Sequence, residues 1–186
     1  QIVPVVVVRS ELPRHVLDFS TGAKFTQHIN HGNLDTADAF FNAGGGLHFD
    51  NSHTLAFNLL SEFNHEDLAS SDAPKNAIEA TPYFHNRATV GLKRDAGRLY
   101  ASIGSTFERW DYQDVSARDG SIINQSERDK QLVSAQTTVG YRFSPGFEFN
   151  TKFRALRQMS IGHPVLDKSA TGYEALAGLT AQLNPL

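Results

Sequence analysis

Polar and apolar residues alternate along most of this chain. Alternation with a period of two residues is the pattern of a β-strand with one apolar face. In residues 15–28 the odd positions from Leu17 to Phe25 are apolar or neutral, while the even positions are polar or small. The same alternation recurs along the rest of the chain, and residues 2–10 read as one more strand. The sequence therefore predicts about nine strands and no helix.

The polar side of this pattern carries charge along most of the strand length. If the strands close into a barrel, this side lines the lumen. The predicted lumen-lining residues are Lys24, His48, Glu62, Arg87, Lys93, Glu108, Arg142, Glu148, Lys152 and Arg154. Their mixed signs argue against strong ion selectivity and suit a polar, neutral or weakly charged solute such as a sugar. The alternative is that these charges pair with one another and only stiffen the wall.

The apolar side is aromatic near both ends of the strands, which is the layout of two interfacial girdles. The predicted girdle residues are Phe49, Tyr141, Phe143 and Phe149 beside the short turns, and Phe41, Phe63 and Phe107 toward the long loops. Several strands also match the roughly 9 to 11 residues that cross a bilayer at a tilt. Together these features favour an all-β, antiparallel up-and-down transmembrane β-barrel. A soluble β-sandwich or β-barrel with its greasy face inward would show the same alternation and stays open.

Short and long connections alternate along the chain. Every long loop is therefore expected at the same end of the predicted strands, and every short turn at the other end. Tight turns are expected at residues 51–53, 95–96 and 144–146, and long polar loops at residues 29–38, 69–82, 111–130 and 160–172. Outer-membrane barrels have this arrangement, with short turns in the periplasm and long loops outside the cell.

The positions of the tight turns also predict how the strands pair. The expected pairs are Leu47 with Phe57 and Gly45 with Leu59 around the first turn, Leu92 with Leu99 and Val90 with Ala101 around the second, and Tyr141 with Phe149 and Arg142 with Glu148 around the third. On the polar face of the second hairpin, the Tyr100 ring would cover Gly91.

Three consecutive glycines, Gly44, Gly45 and Gly46, interrupt one of these strands. We expect Gly45 to face lipid and its two neighbours to face the lumen, where a missing side chain permits the strong twist of a barrel wall. A β-bulge is the alternative interpretation. A phosphate-binding loop is not expected, because no helix follows and the P-loop spacing is absent.

Composition excludes several classes of protein and site. The chain has no cysteine, which rules out a disulfide framework and a thiolate metal site. Its net charge of -3, with acids and bases interspersed, offers no basic stripe to nucleic acid. No apolar run approaches the roughly 18 residues of a membrane helix. The histidines, His163 among them, are scattered, so that neither a metal site nor a cofactor is expected.

Several stretches of the chain carry a family resemblance. They are RDAGRLYASIGSTFERWDYQDV, DGSIINQSERDK and VGYRFSPGFEFNTKFRALR, then SATGYEALAGL, with SELPRHVLDFSTGAKF near the start. In these stretches the chain resembles the outer-membrane β-barrel porins of Gram-negative proteobacteria that are often encoded beside exopolysaccharide or capsule export genes. The resemblance covers nearly the whole chain but only part of a typical member. We therefore expect residues 1–186 to form a single barrel segment that continues beyond both ends.

Three functions are weighed against one another. The leading hypothesis is a porin-like channel or an export-associated barrel. The protein is not expected to be an enzyme. Its partners would be outer-membrane lipid and lipopolysaccharide, polysaccharide or small polar solutes, and other export components, but not nucleic acid. A scaffold or adhesin that acts through its long loops is the alternative. A barrel hydrolase is not expected, because Ser105 and Asn86 would be neighbours on the lipid face without a histidine.

Two features near the longest loop have competing interpretations. Trp110 is expected to anchor the barrel at the membrane interface rather than to stack on a ligand. The acidic residues Asp111, Asp114, Asp119, Glu127 and Asp129 could hold Ca²⁺, but they lack the order of a dedicated calcium loop. We expect a solvated loop that faces the cations of lipopolysaccharide.

Overall fold

Strands form where the sequence alternates. The structure, a computed structural model, describes residues 1–29, 34–162 and 168–181. In chain order the strands are β1 (Val5–Glu11), β2 (His15–Thr26), β3 (Thr36–His48), β4 (His53–Glu66), β5 (Thr81–Ala96), β6 (Leu99–Tyr112), β7 (Val115–Ser116), β8 (Ile122–Ile123), β9 (Lys130–Ser144), β10 (Phe147–Ser160) and β11 (Ala170–Ala181). One 3-10 turn, Ser126–Arg128, precedes β9. None of the described residues belongs to a helix long and apolar enough to span a bilayer.

Nine strands form one antiparallel sheet in the order β1-β2-β3-β4-β5-β6-β9-β10-β11. Each strand pairs with the next one along the chain except at the short β7–β8 hairpin, so the up-and-down arrangement is confirmed. Strands β1 and β11 lie at the two edges and are not paired with each other in the described residues, so that the barrel is not closed.

Long and short connections alternate as the sequence predicts. Strands of the large sheet are joined by short links at residues 12–14, 49–52, 97–98 and 145–146, and by long ones at residues 27–35, 67–80, 113–129 and 161–169. In an antiparallel sheet the long links therefore share one end of the sheet, named here the loop end, and the short links share the turn end. Residues 30–33, 163–167 and 182–186 lie outside the described residues, and so does the expectation about His163.

The apolar face of the sheet is left uncovered by the other described elements. Large side chains in the middle of strands stay exposed on it, such as Phe41 (47%), Val90 (48%) and Ile103 (62%). A soluble sandwich would bury such a face against a second sheet about 10 Å away. Within the described ranges the second sheet is only the hairpin of β7 and β8, which leaves the apolar face without a covering layer.

Two of the three predicted registers are wrong. In the first hairpin Leu47 pairs with Leu55 in place of Phe57, a shift of two residues. In the second hairpin Leu92 pairs with Ile103, because the turn is made by Gly97 and Arg98. Gly97 has φ of 69°, and a positive φ at the first loop residue is what two-residue hairpin turns demand.

The third predicted register is confirmed from Arg142 opposite Glu148 and Tyr141 opposite Phe149 onward. Next to the turn the register shifts, so that Phe147 pairs with Ser144 and not with Phe143 as expected. Both errors in the other hairpins are shifts by an even number of residues. Because side chains alternate with a period of two, an even shift leaves each side chain on its expected face. The assignment of residues to the two faces therefore survives the corrections.

The glycine triplet lies inside β3, and its pairing with both neighbouring strands runs through without a bulge. Gly45 is on the apolar face, and Gly44 and Gly46 are on the polar face, as predicted. At Gly45 the adjacent strand β2 comes so close that an added Cβ would overlap the carbonyl oxygen of Val16. Close approach of a neighbouring backbone explains this glycine.

Candidate functional site

The residues predicted to line a lumen share one side of the sheet, the polar face. Cross-strand partners lie on the same face, and the register joins His48 to Thr54 and Thr54 to Lys93. It likewise joins Arg87 to Glu108. The other predicted residues on this face are Lys24, Glu62, Arg142, Glu148, Lys152 and Arg154. That this face borders a lumen stays a prediction.

At the turn end of the polar face, one arginine connects three strands. The Arg142 guanidinium on β9 donates to the two carboxylate oxygens of Asp95 on β5 at 2.7 and 2.8 Å, and to the Gly97 carbonyl at 2.6 Å. It lies 3.8 Å from Glu148 on β10 and 4.7 Å from the centre of the Tyr100 ring. Bidentate arginine–carboxylate pairs are strong and directional. Here the predicted lumen residues Arg142 and Glu148 therefore also hold the wall together.

Nearer the loop end, His85 lies between two carboxylates. Its Nδ1 is 3.0 Å from Glu62 on β4, and its Nε2 is 3.3 Å from Glu108 on β6. Trp110 stacks on the imidazole with 4.7 Å between ring centres, and the Lys130 ammonium on β9 lies 4.8 Å from the indole centre. Trp110 is thus on the polar face, and its predicted role as an interfacial anchor is wrong. The ring has a neighbour on each adjacent strand, so it is not an open stacking platform either.

Four cationic side chains on the polar face make no hydrogen bond or ion pair with another described residue: Arg87 on β5, Lys130 on β9, whose ammonium lies over the Trp110 ring, and Lys152 and Arg154 on β10. Most acids on this face have a partner, as in the ion pairs of Asp18 with Arg9, Asp38 with Lys24 and Asp95 with Arg142. Glu174, opposite Arg154 in the register, forms no ion pair among the described residues. The charges left available to a solute are therefore mainly positive.

The middle of the polar face is lined by small and hydroxyl-bearing side chains. Ala56, Gly91 and Gly104 are cross-strand partners in a row over β4, β5 and β6. They contribute to a cavity of about 360 Å³. Its polar lining is Thr54, Asn58, Thr89, Lys93, Ser102, Ser105, Thr106 and Gln136. Hydroxyl and amide groups both donate and accept hydrogen bonds, which suits a hydroxylated solute.

Two long loops, residues 67–80 and 113–129, pack against each other where the sequence predicts only long polar loops. Ala77 and Ala117 form a β-bridge, and the Ile78 N–H donates to the Ser116 carbonyl at 3.1 Å. Val115 is 2% exposed, and Ala77 and Ala117 are 5% exposed. The loop pair is thus a small folded unit with its own buried centre.

The loop of residues 113–129 bends over the polar face. Arg128 on this loop donates to the Glu66 carboxylate on β4 at 2.7 Å, and both side chains are largely buried. The guanidinium lies 4.1 Å from the centre of the Tyr112 ring, which stacks on Tyr83 at 5.3 Å. Arg128 and Glu66 are 62 positions apart. Sequence reasoning missed both, because no local pattern connects them.

The acidic residues considered as Ca²⁺ ligands do not converge on one point. Three of them hold their own loop: Asp114 accepts from the Gln125 N–H, Asp119 binds Ser121 and Asp129 accepts from the Tyr112 N–H. Asp111 pairs with Arg109 within β6. Hydrogen bonds from Ser121 lower the pKa of Asp119, whereas burial raises the pKa of Asp129. In the described part of the chain, no cluster of three or more histidine, aspartate or glutamate residues could hold a metal ion.

The serine and the asparagine considered for a hydrolase are not neighbours. Ser105 pairs with Val90 and Ala135. Asn86 pairs with Ser61 and accepts a hydrogen bond from its hydroxyl at 2.8 Å. The expected pairing is wrong, because it depended on the wrong register of the second hairpin.

The predicted girdle residues lie on the apolar face, with Phe49 directly after β3. At the turn end the rings of Tyr141 and Phe143 are 5.1 Å apart, and at the loop end those of Phe63 and Phe84 are 4.9 Å apart. The remaining members are each more than a third exposed: Phe41, Phe49, Phe107 and Phe149. Contact of these rings with lipid headgroups stays a prediction.

Comparison with known proteins assigns the chain to a family. The family model described as "Putative beta-barrel porin 2" matches residues 1–186, the whole chain. No curated protein and no solved structure matches the chain. The match confirms the resemblance found in the sequence.

Proposed function

This chain belongs to the family of β-barrel porins that matches it from residue 1 to residue 186, and from that membership we propose that it forms the wall of a passive outer-membrane channel for polar solutes. The observation that carries the proposal is the contrast between the two faces of a single sheet. Apolar residues such as Ile103 are exposed on one face, and charged and hydroxyl groups occupy the other. In a bilayer each large apolar side chain would gain about 1.5–3 kcal/mol by contact with lipid instead of water.

The chemistry of the polar face supports a hydroxylated solute such as a sugar. Many of its charges are paired at close range, as Arg142 is with Asp95 at 2.7 Å, which weakens the field they exert on a passing ion. Between the charged ends lie the hydroxyl and amide groups of the 360 Å³ cavity. The unpaired Lys152 and Arg154 add a local preference for anionic groups on that solute.

The open edges of the sheet require further strands in a membrane. The outer edges of β1 and β11 have no partner strand among the described residues. Unpaired backbone N–H and C=O groups are not tolerated in lipid. We therefore propose that additional strands pair with both edges and close the barrel.

The proposed orientation follows from the two ends of the sheet. Outer-membrane barrels keep short turns in the periplasm and longer loops outside the cell. The loop end of this sheet would then meet lipopolysaccharide at the cell surface. An association with polysaccharide export is a finer proposal, supported by the sequence resemblance to porins encoded beside export genes.

Channel activity tests this function directly. The full-length protein, purified from outer membranes, is reconstituted into planar lipid bilayers for conductance and into liposomes for osmotic swelling in sugars. We expect discrete conductance steps and swelling in small sugars, in preparations whose unheated sample migrates as a compact band on a detergent gel. Compact, folded protein that neither conducts nor supports swelling would contradict a channel.

The packed loop pair favours a second candidate function, a barrel that acts through its loops. Val115 at 2% exposure indicates a fixed outer surface rather than a fluctuating loop. Such a surface could present a binding site at the cell surface. Folded protein without conductance, whose attachment to cells or polysaccharide is lost when Val115 is replaced by Asp, would favour this candidate over the channel.

A further inference from the structure

We infer that the Arg128–Glu66 ion pair fixes residues 113–129 as a lid over the loop end of the polar face, and that this ion pair sets the size limit for solutes. The size limit rests on the proposed channel function, whereas the lid follows from the contacts alone. The name lid is used below for residues 113–129.

The contacts of Arg128 show how far the lid reaches across the strands. The lid leaves β6 after Tyr112 and returns to the sheet at Lys130 on β9, which is the neighbouring strand. Arg128 nevertheless contacts Glu66 on β4, two strands beyond β6. With strands about 4.8 Å apart, β4 lies roughly 10 Å from β6. The Arg128 side chain therefore reaches from the lid over the ends of β6 and β5 on the polar face.

Contacts on the way confirm this path. The guanidinium of Arg128 covers the Tyr112 ring of β6 at 4.1 Å, and Tyr112 stacks on Tyr83 of β5. Both aromatic residues belong to the polar face, two positions from Trp110 and His85 respectively. Arg128 thus anchors the lid on a row of polar-face side chains, Tyr112, Tyr83 and Glu66.

The lid is also rigid behind its point of attachment. Arg128 donates to the Gln125 side-chain oxygen at 3.0 Å, and Gln125 is 3% exposed. The Gln125 N–H donates to Asp114, and Val115 lies in the buried centre of the loop pair. A change at Arg128 should therefore release the lid from β4 without unfolding the loops, which stay joined through the bridge of Ala77 with Ala117.

A crevice lies beside the lid. This crevice of about 350 Å³ opens between Arg128, Tyr112 and Lys130 on one side and Gln158 and Ser160 of β10 on the other. If solutes enter there, the position of Arg128 determines its width. Loss of the ion pair removes Arg128 as the charged partner of Glu66. Glu66 then keeps only the hydrogen bond from the Ser70 hydroxyl, at 2.9 Å, among its side-chain contacts in the described residues.

Conductance of the full-length protein in planar bilayers tests the size limit. We expect Arg128→Gln to raise single-channel conductance about twofold or more and to admit larger sugars in liposome swelling, because the mouth widens. Exchange of the two charges, by Arg128→Glu with Glu66→Arg, should restore the original conductance. The matched control is Arg109→Gln, which removes an ion pair of 2.6 Å at the same end of β6 but on the apolar face.

A distance measurement tests the lid without relying on transport. The chain has no cysteine, so spin labels can be placed by Ser121→Cys on the lid and Ser102→Cys on the polar face of β6. We expect one narrow distance distribution, which becomes longer and broader with Arg128→Gln and is unchanged with Arg109→Gln.

The outcomes separate the two proposals. An unchanged distance distribution with Arg128→Gln overturns the lid. A moved lid with unchanged conductance overturns the size limit. Absence of conductance in every folded variant contradicts the channel and the size limit with it, while the distances still decide whether the lid exists.

Discussion

The ring of Tyr100 on β6 occupies the space that a side chain at Gly140 on β9 would need. The ring is held in place by its hydroxyl, which donates to Glu148 at 3.3 Å, and by the Arg142 guanidinium 4.7 Å from its centre. The tight-turn positions in the sequence predict instead that this ring covers Gly91 on the other neighbouring strand. The corrected register sets Gly91 opposite Gly104, and Tyr100 opposite Gly140. An aromatic ring over a strand glycine is a known stabilising device.

Gly140→Ala should therefore destabilise the fold. Insertion of a methyl group into occupied space costs about 1–3 kcal/mol in free energy of unfolding, because the fixed Tyr100 ring must move. Urea unfolding in lipid vesicles measures the change. Gly91→Ala is the control, since the nearest atom to an added Cβ there is 3.6 Å away. An equal loss of unfolding free energy with Gly140→Ala and Gly91→Ala would contradict the contact between Tyr100 and Gly140.

The assignment of faces predicts opposite results for two adjacent residues of β6. Ile103 lies on the apolar face and is 62% exposed, and Ser102 lies on the polar face. Ile103→Arg should lower the free energy of unfolding in vesicles by about 2–4 kcal/mol, because it places a charge in lipid. Ser102→Arg should cost clearly less, since its charge would face water. A larger loss of unfolding free energy with Ser102→Arg than with Ile103→Arg would mean that the two faces are assigned the wrong way round.

Two carboxylates outside the sheet should titrate on opposite sides of the ordinary aspartate pKa. Hydrogen bonds, first from the Ser52 N–H at 2.7 Å and then from His53, hold the pKa of Asp50 well below its usual range. Burial raises the pKa of Asp129. Carbon-detected NMR of labelled aspartate in micelles, followed from neutral to acidic pH, should therefore show Asp129 protonating first and Asp50 last.

The sign of the pH effect follows for the turn of residues 49–52. Because folding lowers the pKa of Asp50, its ionised form stabilises the turn fully above the unfolded pKa of about 3.9. That contribution is lost only as the pH falls through the lower, folded value. Amide protection at Ser52 and His53 should then persist at pH values near 4. Protonation of both aspartates at the same pH would contradict these environments.

The packed loops should resist proteolysis. Arg118 is exposed on the lid and is a trypsin site, but cleavage requires local opening of the chain. Val115→Asp should raise the cleavage rate after Arg118 about tenfold or more, since it buries a charge in the centre of the loop pair. Ile122→Asp is the control, because Ile122 on the partner strand β8 is 75% exposed. Rapid cleavage of the unsubstituted protein would contradict the packing.

The sequence predicts the strands and their faces well because these depend on local alternation. The faces withstand even register errors: Leu92 pairs with Ile103 rather than Leu99 and still points to the apolar side. The exact register is harder to predict, because Asp95-Ala96 and Gly97-Arg98 are both plausible turns and the choice depends on the pairing of the whole hairpin.

The loop end is where sequence reasoning is weakest. Ala77, Val115 and Ala117 stand singly among polar residues, so that no periodic pattern marks them as buried. The contact between Arg128 and Glu66 joins distant parts of the chain and arises only once β4, β5 and β6 are side by side. Alternation alone places Trp110 on the same face as Glu108, but its stacking on His85 could be found only after β6 was aligned with β5.

The most direct test of the central claim, that the apolar face meets lipid and the polar face meets water, is a scan of spin labels along residues 102–107 of β6 in bilayers. Since the chain has no cysteine, each label reports one position. Collision with oxygen, which concentrates in lipid, should peak at Ile103, Ser105 and Phe107. Collision with a water-soluble nickel complex should peak at Ser102, Gly104 and Thr106. If the odd positions were shielded from both reagents, the apolar face would be buried in protein and the channel wall would be contradicted.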